Sequence, residues 1–186
     1  MPENSAAAND SKEKKTFPPL SARCIYCGIF LAIITLIADQ LSKAAAVHFL
    51  SSGSIVQVIP GFLDFKYAEN TGAAWGILSG HSWLLLIIAG ITVAAALRYL
   101  NVIAEGSVCR AVAVFLTLGG IAGNAIDRIW HGYVIDFIAA DLQFYKWPIF
   151  NIADTAICIG VGLYILSTLI SGIRKGKDAE SDGHSN

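Results

Sequence analysis

Four apolar stretches, each about as long as a lipid bilayer is thick, constrain this chain more than any other feature. They cover residues 25–49, 83–100, 108–126 and 152–171, and a helix of roughly 20 apolar residues crosses a ~30 Å hydrocarbon core. Charged residues make up only 15% of the sequence, against about 25% in an ordinary soluble domain. The sequence therefore predicts an all-α polytopic membrane protein with four transmembrane helices.

The distribution of Lys and Arg predicts the orientation of these helices. With four spans, the termini share a side with the loop between the second and third spans, and that side carries nine Lys and Arg against four on the other. Cytoplasmic loops are enriched in these residues, so both termini are expected in the cytoplasm. Residues 1–22, which read as disordered, and residues 174–186 are then cytoplasmic tails around a membrane domain at 23–173. No basic patch suggests nucleic acid as a partner.

The segment at about 51–80, on the outer side, has the pattern of a small β-structure. Ile55–Ile59 is rich in β-branched residues, Pro60-Gly61 is a turn signal, and residues 62–67 form a second candidate strand. The polar sequence Asn70-Thr71-Gly72 follows as a break. We expect a small antiparallel sheet resting on the membrane surface.

The other outer segment, at about 129–150, is exceptionally aromatic. The stretch from Arg128 to Phe150 holds seven of the 19 Phe, Trp and Tyr residues, and such rings favour the headgroup level of a membrane. We interpret this segment as an interfacial element that lies along the membrane and helps to enclose a site.

Polar clusters lie at the ends of the apolar stretches, and each has a structural as well as a functional interpretation. Asp39 and Lys43 are four residues apart on one helical face, which suits a self-neutralising pair with Lys43 snorkelling outward. Asn124, Asp127 and Arg128 share a face after a glycine-rich stretch, and could clamp two helices by balancing charge. Either cluster could instead orient a reacting group.

Two further clusters contain aspartates that could act together. Asn151 and Asp154 suit a helix N-cap and its third residue, which would explain both without chemistry. Asp136 lies among Val134, Ile135 and Phe137, a setting that raises a carboxyl pKa. If Asp136 faces Asp154, the two would share one proton, as in an aspartic protease.

Taken together, the polar clusters resemble the bacterial lipoprotein signal peptidase (signal peptidase II) family. The resemblance covers roughly residues 25–175, and five matching segments in this order are very specific. The segments are Asp39-Gln-Leu-Ser-Lys43, Asn70-Thr-Gly-Ala-Ala-Trp75, Gly119-Gly-Ile-Ala-Gly-Asn-Ala-Ile-Asp-Arg128, Val134-Ile-Asp136-Phe137 and Phe150-Asn-Ile-Ala-Asp154.

The resemblance implies four transmembrane helices, a small periplasmic β-cradle and an interfacial periplasmic helix. It also implies an aspartic endopeptidase of the inner membrane that cleaves prolipoproteins before a diacylglyceryl-modified cysteine and is inhibited by globomycin-type cyclic peptides. Asp136 and Asp154 match the catalytic positions. The supporting or substrate-binding positions match Asp39, Lys43, Asn70, Gly72, Asn124, Asp127, Arg128 and Asn151.

Beyond the substrate and membrane lipid, we expect no cofactor, metal or partner subunit. Two other classes compete with the peptidase. A transporter would place charged groups throughout the membrane depth, whereas here they gather at the outer helix ends. A lipoprotein-binding chaperone would tolerate loss of either aspartate.

Overall fold

The computed structural model describes residues 17–183, and gives only the backbone for residues 74 and 175–183. Residues 1–16 and 184–186 of the two predicted tails lie outside this part of the chain. The described α-helices and β-strands, in chain order, are α1 (Ala22–Leu50), β1 (Ile55–Ile59), β2 (Leu63–Asn70), α2 (Ser82–Arg98), α3 (Leu100–Ala104), α4 (Val108–Trp130), β3 (Val134–Ala140) and α5 (Ile152–Gly183). A short 3-10 helix, Ala74–Gly76, lies between β2 and α2.

Three of the four predicted spans are long and apolar enough to cross a membrane. They are α1, α4 and residues Ile152–Arg174 of α5. The fourth, α2, has only 17 residues and is therefore about 25 Å long. The short helix α3 follows it almost at once, and a fourth crossing stays a prediction.

A three-stranded antiparallel sheet in the order β1-β2-β3 lies where α1 and α4 end and α5 begins. The first two strands confirm the predicted β-structure at 51–80, since they match the candidate strands closely. The third strand was not predicted. It pairs with β2 so that Asp136 lies opposite Ala68 and Val134 lies opposite Asn70.

In the described chain, the aromatic segment at 129–150, interpreted as an interfacial element, forms a strand and no helix beyond Trp130, and the interfacial helix implied by the resemblance is not confirmed. After Gly132, whose φ of 80° turns the backbone, this segment forms β3 and then turns and isolated bridges. The three β-branched residues and the phenylalanine of Val134–Ala140 suit a strand. Aromatic content indicated an interfacial position and could not distinguish a strand from a helix.

The fifth helix continues beyond the predicted membrane domain. It runs to Gly183, so residues 174–183 are helical, although the sequence suggested an irregular tail. Within the described residues, α5 also begins where it was expected, directly after Asn151.

Close helix packing around α4 brings the polar clusters together. A Cβ atom added at Gly120 would meet the carbonyl oxygen of Ala153 in α5, and one at Gly123 would meet the carboxylate of Asp39 in α1. Small residues let helix backbones approach in this way within a membrane. The glycine-rich stretch of α4 is therefore the place where α4 meets α1 and the N-terminal end of α5.

Candidate active site

The buried carboxylate of Asp136 is held by two amide side chains. Asp136 is 2% exposed, and its Oδ2 accepts a 2.9 Å hydrogen bond from Asn70. Because Asn70 is two residues beyond Ala68 in β2, it lies diagonally across the strands from Asp136 and on the same face. Oδ1 accepts a 2.7 Å hydrogen bond from the side chain of Asn151.

The second carboxylate, that of Asp154, lies in the first turn of α5. Asn151 caps this helix, because its Oδ1 accepts from the backbone N–H of Asp154 at 2.9 Å while the Asp154 carboxylate accepts from the backbone N–H of Asn151 at 3.3 Å. This reciprocal pair is a capping box built with aspartate. The other carboxylate oxygen accepts a 2.7 Å hydrogen bond from Asn124 of α4.

Asn151 connects the two aspartates directly. Its side-chain nitrogen contacts Asp136, the side-chain oxygen of Asn124 at 3.1 Å and the carbonyl oxygen of Ile135 at 3.2 Å. Asn151 is fully buried, so its geometry is tightly determined. One residue thus holds both carboxylates, that of Asp136 through its side-chain amide and that of Asp154 through its backbone N–H.

A buried ion cluster lies behind these amides. The ammonium of Lys43 lies 2.8 Å from Asp39 and 2.9 Å from Asp127, and it also donates to Oδ1 of Asn124 at 3.0 Å. Lys43 is only 1% exposed, so the expectation that it snorkels outward is wrong. A buried ammonium is tolerated because carboxylates and an amide oxygen surround it.

The environment of Asp136 changes its acidity. Burial raises the pKa of the Asp136 carboxyl to about 7, and the negative charge of Asp154 also raises it. The hydrogen bonds from Asn70 and Asn151 and the charge of Lys43 oppose this shift. A carboxyl group with such a pKa is available both as a proton donor and as a proton acceptor near neutral pH.

Asp136 and Asp154 line one cavity of about 790 Å³. Its polar end includes Asn70, Gly72, Asn124 and Arg128, and its apolar wall continues along α5 through Ile157 and Ile159. Since α5 is a candidate membrane span, the cavity joins a pair of carboxylates to an apolar surface at membrane depth.

Arg128 contacts backbone rather than a carboxylate. Its guanidinium donates to the carbonyl oxygens of Gly72 at 2.8 Å and Asn124 at 3.2 Å, which ties the loop after β2 to α4. The proposed charge balance between Asp127 and Arg128 is therefore wrong, since Asp127 pairs with Lys43. Position 72 also requires glycine, because a Cβ atom there would lie 2.8 Å from the carbonyl oxygen of Ile77.

The structure brings all ten of the predicted site residues into one connected cluster. Sequence reasoning missed Gln40, whose side-chain nitrogen lies 3.0 Å from Asp127 and 3.2 Å from Asp39. A signal was present, because a polar residue next to Asp39 inside an apolar span has few alternatives to a buried partner.

Comparison with known proteins identifies the family of this chain. The model of the family described as signal peptidase (SPase) II matches residues 31–170. The chain belongs to the signal peptidase II family. It is accordingly a peptidase, and its apolar helices make it a multi-pass membrane protein.

Similar proteins agree with the signal peptidase II assignment. The lipoprotein signal peptidase of Bacillus velezensis is 38% identical over 145 residues, which are 78% of this chain and 95% of that protein. The one of Listeria monocytogenes is 39% identical, over 78% of this chain and 93% of that protein. A solved bacterial membrane enzyme has a TM-score of 0.75 and 35% identity, over 86% of this chain and 96% of its own. A second solved bacterial membrane enzyme has a TM-score of 0.71 and 39% identity, over 78% of this chain and 94% of its own.

Proposed function

We propose that this protein is an intramembrane aspartic endopeptidase that removes signal peptides from diacylglyceryl-modified prolipoproteins, cutting before the lipidated cysteine. Asp136 and Asp154 are the catalytic pair. The observation that carries the proposal is that both carboxylates line one cavity while Asn151 donates hydrogen bonds to each of them.

The pair has the electrostatics that an aspartic protease needs. Two carboxylates close together disfavour double ionisation, so one proton is shared between them. We assign the shared proton at rest to Asp136, whose pKa burial raises to about 7. Asp154 is then the ionised base.

Hydrolysis proceeds by attack of water on the scissile carbonyl. Asp154 accepts a proton from the water while the oxygen of that water bonds to the carbonyl carbon. At the same time Asp136 donates its proton to the carbonyl oxygen. When the tetrahedral intermediate collapses, the C–N bond breaks, Asp154 gives its proton to the departing amine of the cysteine, and Asp136 regains a proton from a hydroxyl group of the intermediate. The capping box, Asn70 and Asn124 hold both carboxylates in position. This positioning of the reacting groups supplies much of the rate.

The shape of the cavity supports a lipidated substrate. A peptide bond placed between Asp136 and Asp154 leaves the acyl chains and the signal helix next to the apolar wall at Ile157 and Ile159. The positive-inside asymmetry supports a site near the outer leaflet of the inner membrane, with both termini in the cytoplasm.

The distribution of buried charge favours a peptidase over a transporter. The buried Asp39, Lys43 and Asp127 are joined in one cluster with the amides of the candidate site. An ion pathway instead requires polar groups spread through the membrane depth.

The substrate class is tested by cleavage of matched prolipoproteins. Purified protein in lipid is given one prolipoprotein with the diacylglyceryl group and the same prolipoprotein without it, and the products are identified by mass spectrometry. We expect a new N-terminus at the lipidated cysteine and little cleavage of the unmodified chain. Equal cleavage of both, or a cut elsewhere, would refute the proposed specificity.

A further inference from the structure

Two aspartates outside the proposed catalytic pair hold equivalent backbone positions. Oδ1 of Asp39 accepts a 2.8 Å hydrogen bond from the N–H of Ala153, the residue before Asp154. Oδ2 of Asp127 accepts a 3.1 Å hydrogen bond from the N–H of Ile135, the residue before Asp136. Each buried aspartate thus fixes the backbone immediately preceding one member of the pair.

Neither N–H group has a partner within its own element. The N–H of Ala153 belongs to the first turn of α5, where a helix leaves such groups unbonded. In β3, Ile138 and Phe137 donate to the carbonyl oxygen of Phe150, whereas Ile135 donates to Asp127. A buried N–H without a partner is costly, so these carboxylates determine where both backbone segments lie.

A single pair of side chains joins the two aspartates to each other. The ammonium of Lys43 contacts both carboxylates at 2.8 and 2.9 Å, and the amide nitrogen of Gln40 contacts both at 3.2 and 3.0 Å. Two buried carboxylates otherwise repel one another. Lys43 and Gln40, one turn apart on α1, therefore fix the distance from Asp39 to Asp127.

We infer that Gln40 and Lys43 are positioning residues that set the separation of Asp136 and Asp154, acting through the backbone N–H groups of Ala153 and Ile135. The catalytic consequence rests on the function proposed above, whereas the structural link can be tested without activity. The side chains of Asp39, Lys43 and Asp127, which are buried, and that of Gln40, which is half-buried, form a spacer between the start of α5 and β3. Gln40 belongs to this spacer although it contacts neither catalytic carboxylate.

Amide-proton NMR of the full-length protein in micelles tests the structural link. An N–H bonded to a carboxylate resonates downfield, so loss of that bond moves the Ala153 or Ile135 signal upfield. We expect Asp39→Ala to move Ala153 more than Ile135, Asp127→Ala to do the reverse, and Gln40→Met and Lys43→Met to move both. The matched control is Leu41→Ala, because Leu41 lies on the same helix but is 67% exposed.

Kinetics of Gln40→Met tests the catalytic consequence. If the spacing of the pair is relaxed, kcat should fall about tenfold or more while KM stays within about twofold. The bell-shaped pH profile of kcat should also become narrower, because coupling between two carboxylates weakens with distance. Gln40→Met is nearly isosteric and uncharged, so it offers a variant that folds if Lys43→Met does not.

The outcomes separate the two claims. Movement of both amide signals with a narrower pH profile supports the inference. An unchanged pH profile with less folded protein would assign Gln40 a purely structural role, and an effect on only one amide signal would overturn the common spacer. Failure of the wild type to cleave a lipidated prolipoprotein would instead refute the proposed function. The NMR result would then still decide whether Gln40 and Lys43 position both backbone N–H groups.

Discussion

The side-chain amide of Asn151 donates a 2.7 Å hydrogen bond to Asp136, although Asn151 is also the N-cap of the helix that carries Asp154. One residue therefore determines both the start of α5 and the direction of the Asp136 carboxylate. Its stabilising and catalytic contributions can be separated by substitution, because a cap requires only a short side-chain acceptor.

Asn151→Ala should lower both stability and activity. Loss of the cap costs about 1 kcal/mol, and loss of the contact with Asp136 should reduce kcat by about 100-fold, since small misplacements of reacting groups have effects of that size. Asn151→Ser keeps a capping oxygen but cannot reach Asp136. It should recover most of the thermal stability and little of the kcat; recovery of both would contradict the account.

The pH dependence of cleavage should report Asp136. If Asp136 must be protonated, activity declines as pH rises through its pKa of about 7. The hydrogen bond from Asn70 lowers this pKa, so Asn70→Ala should raise it and move the decline to higher pH. A pH profile of kcat measures the midpoint, with Thr71→Ala as control because Thr71 bonds to Ser79 instead. A midpoint that stays in place or moves to lower pH would oppose this role.

Close packing at Gly120 should be indispensable. In Gly120→Ala the added methyl group meets the carbonyl oxygen of Ala153 and lies 2.8 Å from Ile157, and overpacking of this kind costs about 1–3 kcal/mol. Thermal unfolding and cleavage should both suffer. Gly162→Ala is the control, because its methyl group meets nothing within 4 Å, and Ala is a better helix former than Gly. Equal effects at the two positions would exclude the packing argument.

Arg128→Lys should reduce kcat/KM by about 10- to 100-fold, although the charge is retained. The guanidinium bonds two carbonyl oxygens, those of Gly72 and Asn124, and a single ammonium does not reproduce that fork geometry. The loop at Gly72 lines the cavity, so its displacement disturbs substrate placement. Arg98→Lys, at an exposed position, should leave steady-state kinetics unchanged. A similar loss of kcat/KM in Arg98→Lys would show that the effect of Arg128→Lys does not come from the lost guanidinium geometry.

The long elements could be predicted from sequence because their signals are local, whereas the set of candidate site residues came from the resemblance to a family. Apolar length identified α1, α4 and α5, and β-branched content beside a turn signal identified β1 and β2. The partner of Lys43 in α4 could not be derived in this way, because helix periodicity shows only that Asp39 shares its face. Pairing with Asp127 depends on the close approach of α1 and α4.

The third strand was missed for a related reason. This segment is a strand because it pairs with β2 on one side and bonds to Phe150 on the other. Such pairing arises only in the folded chain and leaves no local sequence signal. Gln40 was overlooked although it lies between Asp39 and Lys43 in a matched motif, because its two carboxylate partners become evident only when the helices are packed.

Cleavage by single-site variants tests the catalytic pair most directly. A gel-shift assay with a diacylglyceryl-modified prolipoprotein would compare the wild type with Asp136→Asn, Asp154→Asn and Asp127→Asn, at equal amounts of folded protein. The account predicts that the first two variants are inactive and that Asp127→Asn retains reduced activity, since its amide oxygen can still accept from Ile135. Substantial cleavage by Asp136→Asn or Asp154→Asn, or complete loss in Asp127→Asn alone, would contradict the assignment.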